Sequence, residues 1–364
     1  MSKYSYNTSI LFTAIFVLFF ACNQDNDPTA VTPGGDTLFS GDWSIDKDKV
    51  KSGGPGVDGI PALENPNIIS ASEATYLSDN DLVIGYKVGN DIRAYPHKIL
   101  DWHEIINDEI GGEKVAITYC PLTGTTIAWD RNIDGGTTTF GVSGLLFNSN
   151  LIPYDRKTGS AWSQMKLEAV NGKIIGTIIE THPTVETTWK TWKEMYPETK
   201  VVSTNTGISR NYSSFPYFIG GKDYRTDPFI IFPIDTDDDR LPRKERVLGV
   251  IVGDATKAYK IAGMTSSTTV IHDEVNGETL VIIGSEEKNY IVSYKRTLED
   301  NTKLTFTAIE NQGAVVMKDN EGNEWNVFGE AVSGNRKGQK LVKTTSYIGY
   351  WFAWGTFYPG LEIY

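Results

Sequence analysis

The chain has 364 residues, and its 40% hydrophobic and 22% charged content is typical of a globular protein that buries a substantial core. Its formal net charge of −12 disfavours non-specific binding to nucleic acid or to an anionic lipid surface, so no nucleic-acid partner is expected. The chain has two cysteines, Cys22 and Cys120. If Cys22 carries a lipid, Cys120 has no disulfide partner within the chain.

The N-terminal residues have the pattern of a bacterial lipoprotein signal peptide. One charge, Lys3, precedes the apolar run 10–21, which is too short to span a bilayer and leads directly into Cys22. Ala21 before this cysteine resembles a lipobox, in which the thiol takes a diacylglycerol and the cysteine becomes the new N-terminus. The alternative is a buried N-terminal helix. We predict a signal peptide over 1–21 and a polar tether over 22–36.

These predictions place the protein in the cell envelope. Lipidation at Cys22 makes the membrane its expected partner, through the lipid anchor. We expect an outer membrane lipoprotein that faces either the periplasm or the cell surface.

The next segment, 37–72, is rich in glycine and proline and is predicted to be irregular. Strands are then expected at 81–88 and 91–95, on either side of the turn Gly89-Asn90. Pro96 can open a helix, and Ile99, Trp102, Ile105 and Ile106 follow at helical spacing, so we predict a helix that Gly111-Gly112 ends. Further strands are expected at 114–119, 125–131, 137–142, 151–155 and 160–164, and a short helix at 187–196.

Four sequence blocks of this region recur in the second half of the chain. The 13 residues 83–95 match 247–259 at six positions, and the Trp189-x-x-Trp192-x-x-x-Tyr-Pro pattern reappears from Trp351. The offset stays between 162 and 165 residues. We therefore predict a β-dominated α+β fold made by tandem duplication, with repeat 1 over 73–205, a linker over 206–239 and repeat 2, a degenerate copy, over 240–364. The four repeated tryptophans, including Trp192 and Trp354, are expected to be buried.

Polar side chains that occur in the first copy alone are candidates for chemistry. His103, Cys120 and Gln164 have Thr268, Ser285 and Val327 near the equivalent positions. Cys120 precedes a proline, which cannot donate to a sheet, so it is expected at a strand end, where pockets are often built.

Cys120 and His103 support two kinds of chemistry. The histidine could activate a cysteine nucleophile, with Glu104 as a further catalytic candidate. Thiolate and imidazole could instead bind copper or zinc. The alternatives are a buried inert cysteine and a histidine whose hydrogen bonds are satisfied in the core.

A third polar cluster surrounds a glycine-rich bend. It contains Ser143, Asn148, Asp155 and Gln164, which we predict to bind a small molecule. The alternative is a network of side chains that cap turns.

Several long motifs together resemble a family of bacterial and archaeal envelope proteins. They are RAYPHKILDWHEIIND at 93–108, TYCPLTGT at 118–125, FGVSGLLFNSNLIPYDRKTGSAWSQ at 140–164 and TTWKTWKEMYP at 187–197. The family is known as a domain of unknown function, number three-one-seven-nine. The resemblance covers roughly residues 50–362 and implies a secreted or lipid-anchored protein, but it supplies no activity.

The sequence therefore predicts an envelope lipoprotein with a small-ligand or metal site in repeat 1. Two alternatives stay open, a cysteine-nucleophile enzyme and a non-catalytic interaction module.

Overall fold

The computed structural model describes residues 39–364. Short strands dominate the first part of these residues, up to Val202. Two α-helices lie in this part, α1 (His97–His103) and α2 (Trp189–Met195), and single 3-10 turns lie at Lys47–Lys49 and, in the second part, at Ile261–Gly263. The strands are β1 (Lys51–Ser52), β2 (Leu63–Glu64), β3 (Ile68–Ser70), β4 (Leu82–Val88), β5 (Asp91–Pro96), β6 (Ile105–Ile110), β7 (Glu113–Cys120), β8 (Thr125–Asp130), β9 (Asn132–Ile133), β10 (Gly136–Thr137), β11 (Phe140–Phe147), β12 (Asn150–Asp155), β13 (Ala161–Ser163), β14 (Glu168–Asn171), β15 (Thr181–His182), β16 (Val185–Thr188) and β17 (Lys200–Val202).

The second part has the same character, with one α-helix, α3 (Trp351–Phe357). Its strands are β18 (Phe218–Ile219), β19 (Lys222–Asp223), β20 (Arg246–Val252), β21 (Ala255–Lys260), β22 (Thr269–Val275), β23 (Glu278–Ser285), β24 (Tyr290–Lys295), β25 (Phe306–Gln312), β26 (Val315–Asp319), β27 (Glu324–Asn326), β28 (Thr345–Tyr350) and β29 (Glu362–Ile363). The β-dominated α+β class that the sequence predicted is confirmed.

The two parts contain sheets with matching strand orders. One sheet of the first part has the order β16-β4-β5-β17-β3, and one sheet of the second has the order β28-β20-β21-β29. In both, an antiparallel hairpin gains an antiparallel strand on one side and a parallel strand on the other. The neighbouring strand triplets β6-β7-β8 and β22-β23-β24 also correspond.

Contacts at the matched positions repeat as well. A Cβ added at Gly85 would lie 2.1 Å from the ring of Trp192, and one added at Gly249 would lie 2.2 Å from the ring of Trp354. All four repeated tryptophans are buried, as predicted. These contacts agree with a duplication, while superposition of the two halves over the boundaries given above stays a prediction.

The helix expected after Pro96 is shorter than predicted. α1 ends at His103, Glu104 has a φ of +57°, and β6 begins at Ile105. A residue in the left-handed region cannot continue a right-handed helix. Ile105 then pairs with Thr118 of β7, and Ile106 pairs with the residue that precedes Thr118 in that strand. The prediction that Gly111-Gly112 ends a helix is therefore wrong, because β-branched residues at helical spacing belong here to a strand.

One further strand is displaced from its predicted position. The sequence placed it at 137–142, but β11 spans Phe140–Phe147. β11 pairs with β12 across a two-residue turn, Asn148-Ser149, in which both residues have positive φ. Two such residues are typical of the tightest hairpins, and this turn fixes the register of the pair.

The hydrophobic core is shared between the two parts. One cluster of buried side chains contains Val83 and Trp192 from the first part together with Val281 and Trp325 from the second. Another joins Cys120 of β7 to side chains of α3. The two parts therefore bury apolar surface against each other.

None of the helices in the described part of the chain is long and apolar enough to cross a membrane. The predicted signal peptide, the tether and the lipidation site Cys22 lie outside the described residues.

Candidate functional site

His103, the first predicted site residue, is completely buried at the end of α1. Its Nδ1 lies 2.7 Å from the carbonyl oxygen of Pro61, and its Nε2 lies 2.7 Å from the hydroxyl oxygen of Tyr212. Burial lowers the pKa of His103, so the neutral ring donates from Nδ1 and accepts at Nε2. Both nitrogens are occupied, which matches the alternative of a satisfied core histidine.

Cys120 ends β7, as the sequence predicted, but its side chain is only 1% exposed. Its Sγ lies 3.8 Å from the carbonyl oxygen of Ser149. Burial raises the pKa of the thiol to about 11. A reactive cysteine needs the opposite shift, because the thiolate is the nucleophile. Glu104 is buried nearby and accepts a hydrogen bond from the hydroxyl of Tyr217 at 3.3 Å, and burial raises its pKa to about 7.

The predicted copper or zinc ion does not fit these donors. Among the described residues, no group of three or more His, Cys, Asp and Glu side chains is arranged to hold a metal ion. His103 has no free nitrogen, and the Cys120 sulfur is buried in the core away from the partners of the His103 ring nitrogens. A metal ligand must be deprotonated and able to reach the ion.

Gln164 and Asp155, two of the predicted ligand-binding residues, are saturated by internal hydrogen bonds. The Nε2 of Gln164 donates to Thr118 Oγ1 at 2.9 Å, and its Oε1 accepts from Asn150 Nδ2 at 2.7 Å. Asp155 accepts from the backbone N–H of Thr158 at 2.6 Å. These bonds join neighbouring strands and a turn, so they hold the fold.

Ser143 and Asn148 have similar roles. The Ser143 hydroxyl accepts from the N–H of Leu145 at 3.0 Å and donates to the carbonyl of Ile152. Asn148 forms the β11–β12 turn, and its Oδ1 accepts from the N–H of Asp235 at 2.8 Å. The turn-capping network that the sequence left open as an alternative describes both residues.

A different group of polar side chains surrounds a cleft of about 400 Å³. Its walls come from three segments of the chain. One set of lining side chains comes from α1 and the strands beside it. A second set comes from the segment between the two parts, and a third comes from the second part. The lining side chains include His97, Lys98, Asp101, Tyr119, Glu186, Asp223, Arg225, Arg246, Asn289 and Tyr350.

At the floor of the cleft, His97 faces Glu186. His97 is the first residue of α1, after Pro96, and Glu186 lies in β16. The His97 Nε2 and Glu186 Oε2 atoms face each other at 3.6 Å, and neither makes a hydrogen bond to any described residue. The other carboxylate oxygen, Oε1, accepts from Arg246 of β20. Burial alone would raise the pKa of Glu186, but His97 and Arg246 outweigh it and lower the pKa to about 2.

Asp101 lies one turn along α1 from His97 and contributes a second carboxyl group to the cleft. Its Oδ1 is buried and has no hydrogen-bond partner within the part of the chain that the structure describes. Burial raises the pKa of Asp101 to about 8, and the positive charge of Arg225 offsets only part of that effect. At neutral pH the carboxyl group of Asp101 is therefore protonated, whereas that of Glu186 is ionised.

The sequence contained a clue to these residues that motif inspection alone missed. His97, Asp101 and Glu186 have Ile261, Thr265 and Ile348 at the offsets of the duplication. The strand pairing supports this equivalence, because Glu186 pairs with Ile84 and Ile348 pairs with Leu248. His97, Asp101 and Glu186 are therefore ionisable residues of the first copy, and the equivalent positions of the second copy carry no ionisable side chain. That criterion selected His103 and Cys120 from the sequence and would also have selected these three.

The chain belongs to the family described as Protein of unknown function (DUF3179), whose model matches residues 57–361. Comparisons with curated proteins and with solved structures give no match.

Proposed function

We propose that this member of a family without an assigned reaction binds a small molecule in the cleft and transfers protons to and from it. The observation that carries the proposal is the convergence on one cavity of three buried atoms, His97 Nε2, Asp101 Oδ1 and Glu186 Oε2. None of them has a hydrogen-bond partner among the described residues, and the first and third face each other at 3.6 Å. Buried polar groups are nearly always hydrogen-bonded, so unpartnered ones at a cleft call for an explanation. A bound molecule that supplies the missing partners is that explanation.

The environments of the two carboxyl groups suggest their roles. Asp101 is protonated at neutral pH because its pKa is about 8, so it can act as a general acid. Glu186, with a pKa of about 2, stays ionised and faces His97 Nε2. The Glu186 carboxylate faces the His97 ring from 3.6 Å and can orient it, so that the ring exchanges a proton with the bound molecule.

The position of the cleft gives the second half of the chain a part in the site. Arg246, from β20, donates a hydrogen bond to the Glu186 carboxylate through Nη2, and its Nη1 donates to Asn289 Oδ1 at 2.6 Å. Tyr350 of β28 forms part of the wall. The second copy thus completes a site whose acid and base come from the first.

The proposal is tested by binding first and turnover second. The chain has four histidines, so the ring signals of His97 can be assigned by NMR with a His97→Gln variant. Small polar molecules that bind in the cleft should shift these signals and leave those of His182 in place. For any bound molecule that the protein turns over, Asp101→Asn and Glu186→Gln should lower the rate by about 100- to 10,000-fold.

His182→Gln is the matched control, because His182 is a half-buried histidine that likewise lies beside carboxylates, at 3.3 Å from Asp130. It should retain turnover. Ligands that shift other histidines and never His97, or turnover that survives both carboxyl variants, would refute the proposal.

We also propose that the protein is anchored to the outer membrane through a lipid on Cys22, with the cleft outside the cytoplasm. The order of Lys3, the apolar run and Ala21-Cys22 supports it. Metabolic labelling with an acyl-chain probe should tag the natural chain and Cys120→Ala but not Cys22→Ala. Labelling that persists in Cys22→Ala would contradict the anchor.

A further inference from the structure

The cleft has more free hydrogen-bond donors than acceptors. A guanidinium carries five N–H donors. The Arg246 guanidinium bonds to Glu186 through Nη2 and to Asn289 through Nη1. The Arg225 guanidinium bonds to Asp223 through Nε and Nη2. Each guanidinium therefore keeps about three N–H groups without a partner among the described residues.

Two further groups add to this excess of donors. The Lys98 ammonium lies 2.6 Å from Asp81 and 3.4 Å from the carbonyl oxygen of Tyr76, which leaves one N–H free. The protonated carboxyl group of Asp101 can donate as well.

The acceptors of the cleft are mostly used. Both oxygens of Asp223 accept from Arg225, and Asp81 Oδ2 accepts from the N–H of Ser78 at 2.6 Å in addition to its pair with Lys98. Glu186 Oε2 is free, but it faces His97. A ligand rich in hydrogen-bond acceptors would therefore satisfy more of this surface than one rich in donors.

The geometry of the donors also favours particular acceptors. Planar guanidinium groups match the oxygen pairs of carboxylates and phosphates, which accept two parallel N–H bonds. The Arg225 side chain is half exposed, and the Arg246 side chain is 22% exposed. Their charges are balanced by Asp223 and Glu186, so the free N–H groups rather than a net positive charge would recognise the ligand.

We propose that the natural ligand of the cleft is a small molecule with a carboxylate or phosphate group, which Arg225 and Arg246 bind and which Lys98 approaches from the rim. This inference rests on the proposed function, because it names the class of molecule that the same cleft takes.

The test is a binding titration of the full chain with four simple probes. Inorganic phosphate and malonate represent the two anionic chemistries, glycerol represents neutral hydroxyl ligands, and ethylenediamine represents cations. Phosphate or malonate should shift the His97 ring signals in a saturable manner, and which of them binds more tightly distinguishes phosphate from carboxylate recognition. Arg225→Gln should weaken that binding at least tenfold.

Arg240→Gln is the matched control. Arg240 bonds to Asp238 through Nε and Nη2, in the same two-residue arrangement as Arg225 with Asp223, but it does not line the cleft. It should leave the affinity unchanged, and near-UV circular dichroism checks that both variants are folded.

The possible results separate this inference from the proposed function. If anions bind equally well to Arg225→Gln and to the natural chain, or if glycerol or ethylenediamine alone shifts the His97 signals, the ligand class is wrong and the cleft remains a binding site. If none of the probes shifts these signals at any concentration, the inference is wrong, and a failure of the wider set of small polar molecules as well would also remove the proposed function.

Discussion

Asp101 and Cys120 show how the same physical effect gives two residues different roles. Burial disfavours the charged form of each and raises the pKa of Asp101 to about 8 and that of Cys120 to about 11. At the cleft, the neutral carboxyl group of Asp101 becomes a proton donor. In the core, the neutral thiol of Cys120 becomes an unreactive apolar group.

Cys120 should therefore resist alkylation in the folded protein. In a Cys22→Ala variant, Cys120 is the single thiol, and iodoacetamide at pH 8 should label it slowly until the protein is unfolded. In urea, labelling should proceed at the rate of a free cysteine. Fast labelling of the folded chain would restore the hypothesis of a cysteine nucleophile.

Asp101 should make the protein less stable as the pH rises. Its folded-state pKa of about 8 exceeds the ordinary value, so the folded state binds the proton more tightly than the unfolded chain does. The stability from this group is complete at pH values below the unfolded pKa and is lost as the pH rises toward 8. Asp101→Asn removes this pH dependence. The free energy of unfolding of the variant should therefore rise relative to that of the natural chain by up to about 1.4 kcal/mol per pH unit across this window.

Urea unfolding at pH 5, 7 and 9 would measure this difference. Asp238→Asn is the control, because the hydrogen bonds of Arg240 lower the pKa of Asp238, its contribution is constant above pH 5, and it does not line the cleft. A difference between Asp101→Asn and the natural chain that does not change with pH would contradict the burial of an unpartnered carboxyl group.

Among the elements, the hairpins β4–β5 and β20–β21 share one packing arrangement. Each carries a glycine against which a tryptophan from a following helix packs, with Trp192 from α2 on Gly85 and Trp354 from α3 on Gly249. Neither indole has room to move, since both tryptophans are fully buried. Close approach of the ring is the physical reason for glycine at these strand positions.

Gly85→Ala and Gly249→Ala should each destabilise the fold by about 1–3 kcal/mol or more, because a methyl group would overlap the indole ring. Gly56→Ala is the control, since a Cβ there would meet no atom within 4 Å. Chemical denaturation of the three variants gives the comparison. If the two hairpin variants were as stable as Gly56→Ala, the matched packing would be wrong.

At the scale of the whole molecule, the two halves are joined by a common core and a common site. Val83 and Trp192 share a cluster of buried side chains with Val281 and Trp325. The cleft likewise takes residues from both halves, including His97 and Arg246. Neither half keeps its buried surface when the other is removed.

Unfolding should therefore be a single cooperative transition, seen at the same urea concentration by far-UV circular dichroism and by tryptophan fluorescence. Fragments 73–205 and 240–364 expressed separately should not fold, because each would expose the apolar side chains that pack on the other. Two separate transitions, or a folded fragment, would show that the halves are independent domains.

Local patterns in the chain were enough to predict several strands of the first part. β4, β5 and β7 are close to their predicted positions because alternating apolar residues and turn dipeptides are local signals. The helix after Pro96 was predicted too long because Ile105 and Ile106 satisfy helical spacing and strand propensity equally well. Pairing of β6 with β7 resolved that ambiguity, and it is a contact between separate segments.

The candidate site depended on long-range contacts to a greater extent. Comparison of the two copies correctly directs attention to polar residues of the first, yet it cannot tell which of them face a cavity. Gln164 and His103 find hydrogen-bond partners in the core, whereas His97, Asp101 and Glu186 meet at a cleft with atoms left unpaired. Whether a polar group is satisfied depends on segments that are distant in sequence, so packing separated the residues that hold the fold from those free to bind a ligand.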